Sequence, residues 1–225
     1  MLHHPAHDHV LWQMTMPAAK PNKHELRTRQ TRDLLLNAAE TIFVRDGYER
    51  AELGEIASLA GRTKGAIYAQ FKSKEEIFLA LIRQKREDYR AQMRDALATC
   101  SGSDQIFQTF REFFVNLTND RGWLLLQLEF KLYAIRHPDS RAHLQEYYEE
   151  SLPGDREEFY ATLLGPSGRG KNAISRTAAI QAFQPILCAL AVEASYGPGV
   201  LDDATRRKIA TLIFDTLFTP APEAS

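Results

Sequence analysis

Cysteine is scarce in this chain: two residues in 225, Cys100 and Cys188, in segments that read as a helix end and a helix interior. Two isolated thiols supply neither a disulfide framework nor a metal-ligand spacing, so both read as structural. A run of about 20 apolar residues is missing, and so are the charged start and apolar stretch of a secretory signal. The expectation is a cytoplasmic protein with no membrane partner. No segment alternates apolar and polar residues between hairpin turns, and no internal repeat is visible. His137 and His143 have no cysteine or serine partner at a recognisable spacing. With acidic residues scattered along polar faces as well, no catalytic constellation, metal site or cofactor is expected.

What is present is ordinary globular composition, 44% hydrophobic and 25% charged, enough for one large core or two small ones. The net charge of -1 is unevenly spread: residues 1–74 carry 11 Lys and Arg against 8 Asp and Glu, and the remainder 17 against 21. The basic end is where DNA would sit. Residues 1–24 hold five of the seven histidines and three prolines without apolar periodicity, and read as a disordered tail. Within it His3, His4, His7 and His9 could take up a metal, or form a loose cluster with no role.

From about Arg27 the pattern turns helical. Leu35, Ala39, Ile42 and Phe43 share one face, and Asp46-Gly47 stops the helix. Leu53, Ile56, Ala57 and Ala60 mark a second short helix closed by Gly61. Thr63 caps a third, with Ile67 and Phe71 turned inward. Ser73 caps a longer helix toward Leu97, and further helices are expected near 104–118, 121–136, 139–164, 173–196 and 202–218, with Pro153-Gly154 kinking or splitting the one over 139–164. The fold class is all-α: a helix-turn-helix domain over 25–73, then a larger helical domain over 74–225.

The second and third helices have the size and turn of a DNA-binding helix-turn-helix. With Ile67 and Phe71 inward, Lys64, Gly65 and Tyr68 occupy the opposite face. Lys64 can neutralise a phosphate, Gly65 lets backbone approach DNA, and the Tyr68 hydroxyl can reach a phosphate. Gln70 could read a base edge if its side chain turns outward.

Ala39, Phe43, Gly47-Tyr48, Ile56-Ala57, Ala60-Gly61, Lys64-Gly65-Ala66-Ile67-Tyr68, Phe71 and Ser73-Lys74-Glu75 together resemble the TetR family of bacterial one-component repressors over about residues 28–80. The resemblance implies that Thr63, Lys64, Gly65 and Tyr68 touch DNA and that Lys74 meets a phosphate. Arg27 and Arg29 lie where similar proteins lay a basic arm along DNA; a solvated charged face is the alternative. Two positions depart from the family pattern. Ala51 stands where a threonine is common, removing a cap and a phosphate contact, and Arg62 replaces a small aliphatic residue and could return a charge to the turn.

The resemblance also implies a C-terminal ligand domain and a homodimer formed through the helices near 173–196 and 202–218, which would space two recognition helices about 34–36 Å apart. The expected function is a repressor released from operator DNA by a small-molecule inducer. Control by a protein partner, or activation, are the alternatives. Phe107, Phe110, Phe114, Trp123, Phe130, Tyr133 and Phe159 are candidates to line the pocket, or are core. Glu129, in the apolar run from Trp123 to Phe130, either pairs with a cationic ligand or faces solvent or an arginine. A nucleotide hydrolase is suggested only by Gly165-Pro166-Ser167-Gly168-Arg169-Gly170-Lys171-Asn172, which has the glycine and lysine spacing of a phosphate loop. Asn172 stands where the magnesium-binding hydroxyl belongs, and a helix rather than a strand precedes the segment.

Overall fold

The computed structural model describes residues 22–150, 156–164 and 174–218, which form helices and no strand. The helices are α1 (Lys23–Asp46), α2 (Leu53–Leu59), α3 (Lys64–Tyr68), α4 (Lys74–Leu97), α5 (Ser103–Asn116), α6 (Arg121–Arg136), α7 (Pro138–Glu150), α8 (Arg156–Leu164), α9 (Arg176–Tyr196) and α10 (Asp203–Phe218). Most of the expected tail, its four clustered histidines, Pro153-Gly154 and the phosphate-loop-like stretch 165–172 lie outside the described residues.

α1 starts one turn earlier than its apolar spacing predicts. Asn22 Oδ1 accepts the Glu25 N–H at 2.9 Å, and Glu25 Oε2 accepts the Asn22 N–H at 2.9 Å. This reciprocal cap satisfies two donors at a helix start that buries nothing, so the start has a polar signature and no apolar one. α2 begins after Glu52, which makes no side-chain cap bond. Ala51 is buried in the core, so a threonine there would have had to bury its hydroxyl. α2 ends at Gly61, φ +64°, with the Gly61 N–H on the Ser58 carbonyl at 3.0 Å and the Arg62 N–H on the Ala57 carbonyl at 2.8 Å. A Cβ at Gly61 would meet nothing within 4 Å. Gly61→Ala should therefore cost only the left-handed strain, about 1–2 kcal/mol in urea denaturation; a neutral result would show that the turn tolerates another conformation.

Two apolar cores form. In the first, Leu35, Ala39, Ile42 and Phe43 of α1, Ile56 of α2, Ile67 of α3 and Ile77, Phe78 and Leu81 of α4 pack with Trp123, Leu126 and Phe130 of α6. This core runs across the expected domain boundary at residue 73. Phe110, Leu124, Leu164, Phe183, Leu187 and Phe214 build the second, from α5, α6, α8, α9 and α10. α6 contributes to both, so the three-helix unit and the larger helical layer share one element.

α9 is long and apolar enough to cross a membrane by length and composition, contrary to the expectation of no such run. Its Ala179, Phe183, Leu187, Cys188, Ala191 and Ala194 are buried within the protein, while Ala178, Ala182, Pro185 and Ala189 are exposed. Cys188 is buried and Cys100 half-buried, with its Sγ 3.2 Å from Thr109 Oγ1.

Candidate nucleic-acid interface

α3 is oriented by its buried side. Ile67 and Phe71 are 0% and 1% exposed, and Tyr68, on the other face, is 60% exposed. Arg62, Thr63, Lys64 and Gly65 are exposed beside it. Thr63 starts the helix, its hydroxyl accepting the Ala66 N–H at 3.4 Å, while Arg62 donates to the Gly61 carbonyl at 3.2 Å. A Cβ at Gly65 would meet only Thr63 Oγ1, at 3.6 Å, an ordinary contact. Nothing inside the protein needs a glycine there, whereas an approaching phosphate backbone would. The stem of Lys64 crosses Gly54 of α2, where a Cβ would lie 3.0 Å from its Cε.

Arg32 went unremarked in the sequence. Its guanidinium lies 4.4 Å from the centre of the Phe71 ring and donates to the Gln70 carbonyl at 3.4 Å, fixing the C-terminal end of α3 to α1. Gln70 itself is half-buried. Arg27 and Arg29 are exposed on the first two turns of α1, before Arg32.

Lys74, expected to meet a phosphate, has partners inside the protein. Its ammonium donates to the Glu49 carbonyl at 2.7 Å and the Ala51 carbonyl at 3.3 Å, and lies 5.0 Å from the centre of the Tyr48 ring. Burial lowers its pKa, against the pull of Glu49 and Glu129. The lysine clamps the turn before α2, and two of its three donors are taken.

The described candidate pocket residues divide between the two cores. Trp123, Phe130 and Tyr133 pack in the first core, around Tyr48 and Phe78. Phe107, Phe110 and Phe114 pack in the second, against Phe183 and Phe214. The Phe159 side chain lies outside the described residues. Glu129 accepts the Tyr48 N–H at 2.8 Å and borders a cavity of about 540 Å³ between the end of α1 and α6, with Val44, Arg45, Gly47, Arg50 and Gly122. Backbone donors have no signature in a sequence, which is why this partner was not foreseen.

Residues 35–81 match the family model of bacterial regulatory proteins, tetR family. Over these residues the chain is similar to the TetR family. Among curated relatives, it is 28% identical over 81 residues to the HTH-type transcriptional regulator QacR of Staphylococcus aureus, covering 36% of this chain and 43% of that protein. With the HTH-type transcriptional activator FasR of Mycolicibacterium smegmatis it shares 35% over 85 residues, 38% of this chain and 39% of that one. With the HTH-type transcriptional regulator TtgR of Pseudomonas putida it shares 40% over 76 residues, 34% of each. The chain thus spans less than half the length of these relatives.

Likeness of fold extends further along the chain. The fatty acid degradation regulator FadR from Bacillus halodurans superposes with a TM-score of 0.57 at 18% identity, over 89% of this chain and 97% of that one. A transcriptional regulator from Rhodococcus sp. gives 0.59 at 16%, over 83% and 95%.

Proposed function

We propose that this chain is a TetR-family transcriptional regulator that binds operator DNA as a homodimer through α2 and α3, and that it represses until a small-molecule inducer releases it. The observation that carries the reading is α3 itself: Ile67 and Phe71 buried, and Lys64, Gly65 and Tyr68 on the outward face with no internal need for the glycine. Regulation of transcription is also what the names of QacR and TtgR state of those proteins. The expected setting is the cytoplasm, with no enzymatic step required, since different ligand affinities of two shapes suffice for release.

A second copy fits α9 and α10. Ala178, Ala182, Pro185 and Ala189 form an exposed, small-residue face at helical spacing on α9, and Leu212 is 58% exposed on α10. Small side chains permit close helix approach. Activation is the second reading, because the relative FasR is named an activator.

The test is an anisotropy titration against DNA from the upstream region of the gene, at two salt concentrations and beside scrambled DNA. Lys64→Ala and Tyr68→Ala should each weaken binding about tenfold, or about 1.4 kcal/mol, without lowering thermal stability. Lys64→Ala should also reduce the slope of log K against log salt by about 0.9, one phosphate contact, while Tyr68→Ala leaves it unchanged. Equal binding of both DNAs would sink the reading. A reporter on the same upstream region that falls when the protein is deleted would establish activation.

A further inference from the structure

The two glycine-ended helices of the first core finish differently. After α2, both the Gly61 N–H and the following Arg62 N–H return to carbonyls of their own helix. After α1, Gly47, φ +83°, closes only the first such bond, to the Phe43 carbonyl at 2.9 Å. The following N–H, of Tyr48, donates to Glu129 Oε1 at 2.8 Å, 81 residues away. A donor that could have closed the cap locally is satisfied from α6. The carboxylate lies against the bare glycine, where a Cβ would come 2.7 Å from Oε1 and 3.0 Å from Oε2.

α6 holds the same turn a second way. The Tyr48 ring is buried with centroids 4.9 Å from Phe130 and 4.8 Å from Tyr133, both near Glu129 on α6. On the other side, Lys74 of α4 grips the Glu49 and Ala51 carbonyls just before α2. The short stretch 47–51 is therefore a polar connection between α6 and the helix-turn-helix, beside the apolar contacts of the first core. The 540 Å³ cavity beside Glu129 leaves room for the separation of α1 and α6 to change. A charge-assisted hydrogen bond weakens steeply with distance and misalignment, so a small displacement of α6 is registered at the end of α1.

We propose that Glu129 is a positioning residue that couples α6 to the DNA-binding helices, its carboxylate completing the C-terminal cap of α1 so that the position of α6 sets that of α2 and α3. The inference rests on the DNA-binding reading above. Coupling of binding is reciprocal, so DNA on α3 must act back on α6 through the same contact.

The experiment is amide hydrogen exchange on the full chain, with and without saturating upstream DNA, for wild type, Glu129→Ala, Glu129→Gln and Gly47→Ala. DNA should change the exchange of residues 122–136 in the wild type. That response should vanish in Glu129→Ala and return in Glu129→Gln, whose amide oxygen still accepts the Tyr48 N–H. Gly47→Ala, which crowds the carboxylate from the other side, should lose it too, giving a second route if Glu129→Ala folds poorly. An α6 response undiminished in Glu129→Ala, or absent in a wild type that binds selectively, overturns the coupling. A wild type without selective binding overturns the DNA-binding reading first, and the coupling with it.

Discussion

Phe78→Ala is expected to cost about 3–5 kcal/mol in urea denaturation, the usual range for emptying a large aromatic site. Phe78 is 0% exposed, and its ring lies 4.1 Å from that of Phe130, 5.3 Å from Tyr48, 5.4 Å from Phe43 and 6.4 Å from Trp123. Those partners sit on α1, the turn after it, and α6, so no single element can close the hole by moving alone. Edge-to-face pairs add about 0.5–1.5 kcal/mol each beyond their buried area, placing the loss toward the top of the range. Phe78→Leu, which keeps most of the volume, should recover more than half of it. A loss under about 1 kcal/mol for Phe78→Ala would mean that the cluster repacks around α4.

How much of this was legible depends on what each signal reports. Apolar spacing reports burial, and where burial exists it located the helices well: the inward pair Ile67 and Phe71 is buried and Tyr68 faces out. The first turns of α1 bury little, so spacing was silent there and the start was missed, although Asn22 and Glu25 carried a capping signature. Spacing also cannot say which core an inward residue joins. Phe107, Phe110 and Phe114 read just like Trp123, Phe130 and Tyr133, yet the two sets pack in different cores on either side of α6.

Charged residues carry a different signal. A charge suggests a phosphate for Lys74, and for Glu129 a ligand cation, solvent or an arginine. Inside the protein both meet backbone groups: Lys74 two carbonyls, Glu129 one N–H. Every residue offers such groups, and only the fold decides which are left over at helix ends and turns. The helix-turn-helix face was readable because its side chains are identified by what they do not touch. The contacts that hold it in place were not.

Arg176 is the same principle at its largest. Its side chain is 1% exposed, with Nη1 donating to the Leu217 carbonyl at 3.1 Å and Nη2 to the Leu164 carbonyl at 3.4 Å, beneath the Phe218 ring at 5.9 Å. Both carbonyls lie at the C-terminal ends of helices, α10 and α8, where unpaired acceptors and the helix dipole favour a cation. Burial pushes its pKa below the ordinary arginine value, and Glu157 pulls the other way. Glu157 in turn accepts the backbone N–H groups of Arg176 and Thr177 at 2.8 and 2.9 Å, so the start of α9 is capped independently of the guanidinium. Arg176→Met keeps the stem and removes the fork, leaving the buried Leu164 carbonyl and the part-buried Leu217 carbonyl without this donor, at roughly 1–3 kcal/mol for a fully buried group. The expected loss is about 2–4 kcal/mol, larger than the near-neutral result often found when a whole buried ion pair is replaced by apolar residues, because backbone carbonyls cannot be substituted away. Arg176→Lys should fall between, since one ammonium cannot reproduce a planar fork across two helix ends. If Arg176→Met melted with the wild type, the guanidinium would be tolerated at this junction rather than holding it, and the stability of α8 and α10 would rest on the apolar contacts of the second core.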